Sequence, residues 1–329
     1  MEFKVKDWTY IFNNGGFDII SNDPIPKPNI LYKLYSLNQN SFDALMNGYI
    51  YATHPCQFND VFDCHDELII FDDVDYIKEF LTSYSDFSVE EIKRMISGNL
   101  EETKTFVRRN FKEGVYRTIG VYSMTGNPND ILMWSYYTNH QGFCVEFDVT
   151  KFPFKFFGPF PINYQDEIEK ISLKDAGKDI SILYQTNVKY KAWQHENEWR
   201  LLIVSKEAMY CPSFKKLRAL GGHDRKFYYP IEAIKSITLG NTFFVPEELN
   251  PIDNKQIEIN LEVNFEQKSL ILEYLSENKI QTNLVRRNEN LYSLLFTPGY
   301  VQKVNYKKYI LNAIEVKDGK VEKETVAKN

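Results

Sequence analysis

The sequence of 329 residues is 43% hydrophobic and 15% aromatic, which is ample material for a core rich in half-buried rings. Its net charge of −6 supplies no global basic field of the kind that gathers nucleic acid or anionic lipid. No apolar run approaches the ~20 residues that cross a bilayer, the first residues lack a signal-peptide layout, and four cysteines make no disulfide framework; a soluble cytoplasmic chain with reduced thiols and no membrane partner is expected.

Residues 1–29 carry Asn13, Asn14, Gly15, Gly16 and three prolines at 24, 26 and 28, a composition that predicts an N-terminal leader. A strand at 30–35, a helix at 39–47 capped by Asn40 or Ser41 and ended by Gly48, and a strand at 49–53 form a β–α–β beginning. Residues 54–65 are polar and loop-like. Apolar positions at three- and four-residue spacing (Ile77, Phe80, Leu81, Ile92, Met95, Ile96) predict helix over 73–113, with Ser88 and Glu91 placed as a capping box.

Strands are expected at 116–123 and 142–148, separated by a short helix at 131–137. Residues 150–165, rich in Phe and Pro, read as a surface excursion. A helix at 171–184 leads to strands at 186–191 and 199–204, then 226–230 and 234–240. A helix within 258–278, a late strand at 291–296 and a charged, frayed tail at 317–329 complete the order. These elements predict an α+β fold: a single mixed domain over 30–316, with a central, largely antiparallel sheet flanked by helices.

The least ordinary local chemistry is the run His195, Glu196, Asn197, Glu198, Trp199, Arg200. In an extended chain Glu196, Glu198 and Arg200 share one face. Two neighbouring carboxylates repel, which would raise one of them toward a useful acid/base pKa, while Arg200 holds the other ionised. The same residues also fit a solvated strand edge with an ordinary ion pair. His54, Cys56, Cys64 and His65 have zinc-ligand chemistry but not zinc-ligand spacing, so no metal is expected there, and residues 58–60 read as a turn. Ser123 closes a strand without a Gly-x-Ser-x-Gly elbow. The absence of a phosphate-binding loop and of Gly-x-Gly-x-x-Gly disfavours kinase, ATPase and dinucleotide dehydrogenase chemistry.

Several segments together resemble the bacterial family catalogued as domain of unknown function 2971. They are residues 31–36 (Leu-Tyr-Lys-Leu-Tyr-Ser), 58–63 (Phe-Asn-Asp-Val-Phe-Asp), 122–123 (Tyr-Ser), 132–137 (Leu-Met-Trp-Ser-Tyr-Tyr), 142–147 (Gly-Phe-Cys-Val-Glu-Phe), 193–200 and 237–240 (Ile-Thr-Leu-Gly). The family usually has Pro at the position of Val61 and Glu at that of Asp63. The succession of motifs is similar to that of ADP-ribosyltransferases. That resemblance implies NAD as a substrate, held by Lys33 or Tyr35 and by Ser123. Glu198 would be the catalytic carboxylate, with Glu196 activating a protein or nucleic-acid acceptor. Tyr32, Tyr122 or Trp134 would stack on nicotinamide, and Arg200 would complete the binding face. Those enzymes usually offer Arg or His where this chain has Lys33. The resemblance equally allows a non-catalytic interaction or sensor module in a stress or phage-defence setting. A hydrolase or nuclease using Asp60, Asp63 and Glu198 with a divalent metal is a third possibility, against which the acidic balance argues.

Overall fold

Side-chain caps set the helix starts. Ser88 Oγ accepts from the Glu91 N–H while the Glu91 carboxylate accepts from the Ser88 N–H, and the helix Val89–Gly98 follows from this reciprocal pair. Asp73 caps Val74–Tyr84 through the Tyr76 N–H at 2.7 Å, and Asp130 caps Ile131–Thr138 through the Met133 N–H at 2.8 Å. Gln39–Met46 is capped by Asn38, whose side chain accepts from Ser41 N–H, rather than by Asn40 or Ser41 themselves. The helical block expected over 73–113 is three helices, the third being Leu100–Val115.

The structure is a computed structural model that describes residues 1–115, 117–205, 209, 224–288, 290–314, 316–317 and 320–321. Most of the tail expected from Lys317 lies outside the described residues. The fold is mixed α and β, and its strand pairs are largely antiparallel. Its contacts divide it into two compact units, each assembled from non-contiguous stretches.

The first unit comprises Met1–Pro28, Tyr51–Ser123 and Phe154–Phe227. Residues read as a leader make three antiparallel strands here, Glu2–Val5, Trp8–Asn13 and Gly16–Ser21. Tyr10 sits in the core with its ring 5.2 Å from that of Tyr184. Its hydroxyl donates to Asn187 Oδ1 and accepts from Asn163 Nδ2, both at 3.0 Å. Asn163 begins one strand of the parallel pair Asn163–Gln165 and Val188–Tyr190, and Asn187 immediately precedes the other. The surface excursion expected over 150–165 therefore needs correcting. It contains the strand Phe157–Pro161 and the strand Asn163–Gln165, with Phe160, Ile162 and Asn163 buried. Prolines at 159 and 161 hid this strand; Gly158 allows its close approach. At φ +101° a Cβ there would stand 2.7 Å from the Arg200 carbonyl oxygen.

Glu198–Val204 pairs antiparallel with Phe157–Pro161 and neighbours residues 119–123 of the strand Ile119–Thr125. The helix Leu173–Gln185 breaks at Gly177, whose φ of 73° is non-helical, and packs on the N-terminal strands.

The second unit comprises Asn29–Ile50, Met124–Pro153 and Tyr228–Asn329. Eight strands lie in the order Leu249–Pro251, Gln256–Asn260, Lys308–Ala313, Leu294–Lys303, Gln281–Arg287, Ile234–Leu239, Phe143–Asp148, Ile30–Tyr35. All neighbours are antiparallel except Ile234–Leu239 with Gln281–Arg287, a pair joined through the helix Phe265–Glu277. The helix expected over 258–278 is thus the end of a strand followed by a shorter helix. A buried ion pair, Lys268 with Glu248 at 2.5 Å, fixes that helix, and Glu248 also accepts from three backbone N–H groups.

Candidate functional site

Arg200 is the third residue of the largely apolar strand Glu198–Val204, two positions from Glu198 and on the same face. All five of its N–H donors are used. Nε donates to Glu198 Oε1 at 2.7 Å and Nη2 to Glu198 Oε2 at 3.2 Å. Nη1 and Nη2 grip Asp63 Oδ1 and Oδ2 at 2.8 and 2.5 Å, and Nη1 also reaches the Thr186 carbonyl. Phe58 lies over the guanidinium, 4.9 Å from Cζ to the ring centre. A planar fork with two carboxylate partners is chemistry that Lys could not replace.

Glu196 and Glu198 do converge, though by a different route from the extended chain expected. Lys191–Glu196 is a 3-10 helix, and Asn197 adopts a left-handed conformation (φ 44°, ψ 51°) before the strand begins at Glu198. This turn brings both carboxylates to one ammonium. Lys189 Nζ lies 2.5 Å from Glu196 Oε2 and 2.9 Å from Glu198 Oε2, with the Trp193 ring 5.1 Å away. The Glu198 N–H donates to the Tyr164 hydroxyl at 2.9 Å, and the Ser123 hydroxyl bonds the Glu198 carboxylate.

Carboxylate repulsion was expected to raise one glutamate while Arg200 held the other ionised, and Glu198 takes the second of these roles. Burial does push Glu198 upward, and it is only 6% exposed, but Arg200, Lys189 and the hydrogen bonds of Arg200 and Ser123 outweigh it and hold the group well below the usual carboxylate range. Burial lowers Lys189 less than Glu198 and Glu196 raise it, so its ammonium is held above its ordinary value. Burial and the nearby Glu198 push the Tyr164 phenol up. Among the described contacts, Asp63 and Glu198 are bound by Arg200, and Glu196 and Glu198 by Lys189. Glu198 cannot act as a general acid at neutral pH; it can stabilise developing positive charge.

A cleft of about 400 Å³ opens beside Lys189, bounded by Phe62, His65, Gln165, Ile168 and Tyr190. Lys189 lines it, and neither glutamate does.

The expected site residues fall in both units. Ser123, Glu196, Glu198 and Arg200 meet in the first. Lys33, Tyr32, Tyr35 and Trp134 belong to the second. There, Tyr35 stacks on Phe143 at 5.3 Å, and Tyr32 bonds Glu146 with its phenol pushed up to about 12 by burial and that carboxylate. Trp134 is 1% exposed, packed with Leu34, Met133, Cys144 and Val285, and its indole donates to the Pro128 carbonyl, so it presents no free face for stacking. Asp60 serves as a turn residue, accepting from the Phe62 N–H. Asp63 and Glu198 have Arg200 between them, and no group of His, Cys, Asp and Glu is placed to hold a metal ion among the described residues.

Sequence reasoning missed Lys189 and Tyr164. A lone lysine beside Val188 in a short strand carries no signal of its carboxylate partners, and Tyr164 lay in the segment read as surface.

Taken together, these features define a mixed α/β protein with a buried polar cluster flanking a small cleft. Residues 133–201 match the family model described as a protein of unknown function, DUF2971. That stretch contains the segments at 142–147 and 193–200 and most of that at 132–137; the other resembling segments lie outside it. No curated protein and no solved structure matches the chain. Among the described residues no helix is long and apolar enough to cross a membrane.

Proposed function

We propose that the first unit carries a site that stabilises positive charge on NAD, in the manner of an ADP-ribosyltransferase or an NAD-hydrolysing enzyme, with Glu198 as its carboxylate. The observation that supports this most is the bond between the Ser123 hydroxyl and Glu198, which joins two of the motif positions the resemblance implies. Cleavage of the nicotinamide–ribose bond leaves an oxocarbenium-like centre. An ionised carboxylate preorganised against that centre lowers the barrier. Nicotinamide leaves with the bonding electron pair, and water or an acceptor nucleophile then forms the new bond to the ribose carbon. Glu196, bound to Lys189, activates that nucleophile only by exchanging its ammonium partner. Purified protein incubated with NAD should release nicotinamide, and Glu198→Gln should abolish the release. Absence of release, or equal release by the variant, removes this assignment.

A second assignment is a non-catalytic binding or sensor module, for which the stress or phage-defence setting is the proposed context. It is favoured by the saturation of Glu198, whose oxygens are held by Arg200 and Lys189, and by Lys189 being the residue at the cleft. It expects Glu198→Gln to leave function in cells intact once folding is accounted for, and changes at exposed aromatic residues to abolish it.

A further inference from the structure

An apolar cleft and an apolar projection of opposite charge are both present on this chain. The cleft, in the first unit, has a volume of about 400 Å³. Phe62, Ile168 and Tyr190 line it and are 52%, 48% and 49% exposed, and Val61 beside Phe62 is exposed as well. Large apolar side chains left bare around a concavity mark a surface that another molecule covers. Of the charges that line it, Asp166 is paired with Lys191, and Lys189 with Glu196 and Glu198. Glu167 remains, exposed and without an ion pair among the described residues, so the margin is negative.

The projection is a hairpin tip in the second unit. Gln281–Arg287 pairs with Leu294–Lys303 as far as Arg287 opposite Leu294. Within the connection, the Asn288 N–H donates to the Ser293 carbonyl at 3.0 Å, and the Asn290 N–H to Asn288 Oδ1 at 2.9 Å. These bonds hold the tip in one shape, so docking it costs little further ordering. Leu291 is 67% exposed, and Tyr292 keeps its whole surface in contact with solvent. Arg286 stands opposite Leu295, so the two share a face of the hairpin, and both are exposed. Neither Arg286 nor Arg287 forms an ion pair among the described residues. Against the single acid Glu289, the two arginines leave the tip net positive.

We infer that the cleft of one copy of this chain receives the hairpin tip of a second copy. Tyr292 and Leu291 enter between Phe62, Ile168 and Tyr190, while Arg286 and Arg287 meet the negative margin at Glu167. Burial of the bare apolar groups drives the contact, and the opposite charges orient it. The two surfaces differ, so the contact is head to tail and leaves each pair of copies with one open cleft and one open hairpin. This goes beyond the NAD assignment and does not depend on it, since it requires association and no turnover.

Sedimentation equilibrium of the full-length protein tests this over about 1–100 μM. The average mass of the wild type should rise with concentration, and rise less at about 0.5 M salt, where the charges are screened. Phe62 and Tyr292 are both exposed, so Phe62→Asp and Tyr292→Asp leave the core closed, and circular dichroism verifies their folding. Each variant alone should remain a single chain. Their equimolar mixture should form a dimer that grows no further, because the intact hairpin of Phe62→Asp enters the intact cleft of Tyr292→Asp. A wild type that stays monomeric, association that salt leaves unchanged, a variant that associates like the wild type, or a mixture that stays monomeric overturns the inference. Nicotinamide release is read in a separate assay, so its absence bears on the NAD assignment alone.

Discussion

Arg200 and Asp63 form a bidentate pair, Nη1 to Oδ1 at 2.8 Å and Nη2 to Oδ2 at 2.5 Å, across 137 positions of sequence. Both side chains are buried, so neither can turn to water if the other is lost. Asp63→Ala should therefore destabilise the protein by about 3–5 kcal/mol, the cost of leaving a buried charge uncompensated. Urea unfolding measures this. A loss no larger than that of a surface ion pair, below about 1 kcal/mol, would show that the pair does not hold the cluster together.

The run from Glu196 to Arg200 was legible as chemistry because three charges border an apolar strand. Its geometry was not. Alternation along a strand places Glu198 and Arg200 correctly, but the left-handed turn at Asn197 and the reach of Lys189 depend on tertiary neighbours. Glu198 is the carboxylate held ionised, as Arg200 beside it suggested, but the second cation that holds it, Lys189, is unmarked in the sequence. Helices with local caps and strong strands such as Glu198–Val204 were readable from local signals. The strands at 157–165 were hidden by proline and phenylalanine. The interleaving of the two units leaves no mark on composition, because each unit takes segments from distant parts of the chain.

Asn197 makes a sharp test of the turn. Its φ of 44° is tolerated by Asn and Gly and penalised in β-branched residues. Asn197→Gly should change stability little, whereas Asn197→Val should cost about 1–3 kcal/mol and displace Glu196 from Lys189. Thermal unfolding compares the two, and equal melting temperatures would argue against a strained turn.

Tyr10 ties the N-terminal strands to the strands bordering the cleft. Tyr10→Phe keeps the ring contact with Tyr184 but leaves Asn187 and Asn163 without their shared hydroxyl. A loss of about 1–3 kcal/mol is expected from the buried polar groups this leaves unmatched. Denaturant titration checks it; a neutral substitution would mean that water replaces the hydroxyl.

Stability should have a plateau bounded by this cluster. Glu198 is depressed in the folded state, so its contribution is full above its ordinary value of 4.5 and is lost as pH falls below that toward the folded value. Lys189 is raised, so its contribution is full below 10.5 and is lost as pH rises through the higher folded value. Unfolding free energy measured against pH should decline below about pH 4.5 in the wild type, and less steeply in Glu198→Gln. Identical acid slopes would mean that other carboxylates carry the effect.

The proposed role of Glu198 is tested most directly by nicotinamide release from NAD measured across pH in the wild type, Ser123→Ala and Glu198→Gln. With Glu198 held ionised far below neutrality, release should show no acidic limb between about pH 5 and 8, fall in Ser123→Ala and vanish in Glu198→Gln. No release at any pH, or a Glu198→Gln protein as active as the wild type, would contradict the account.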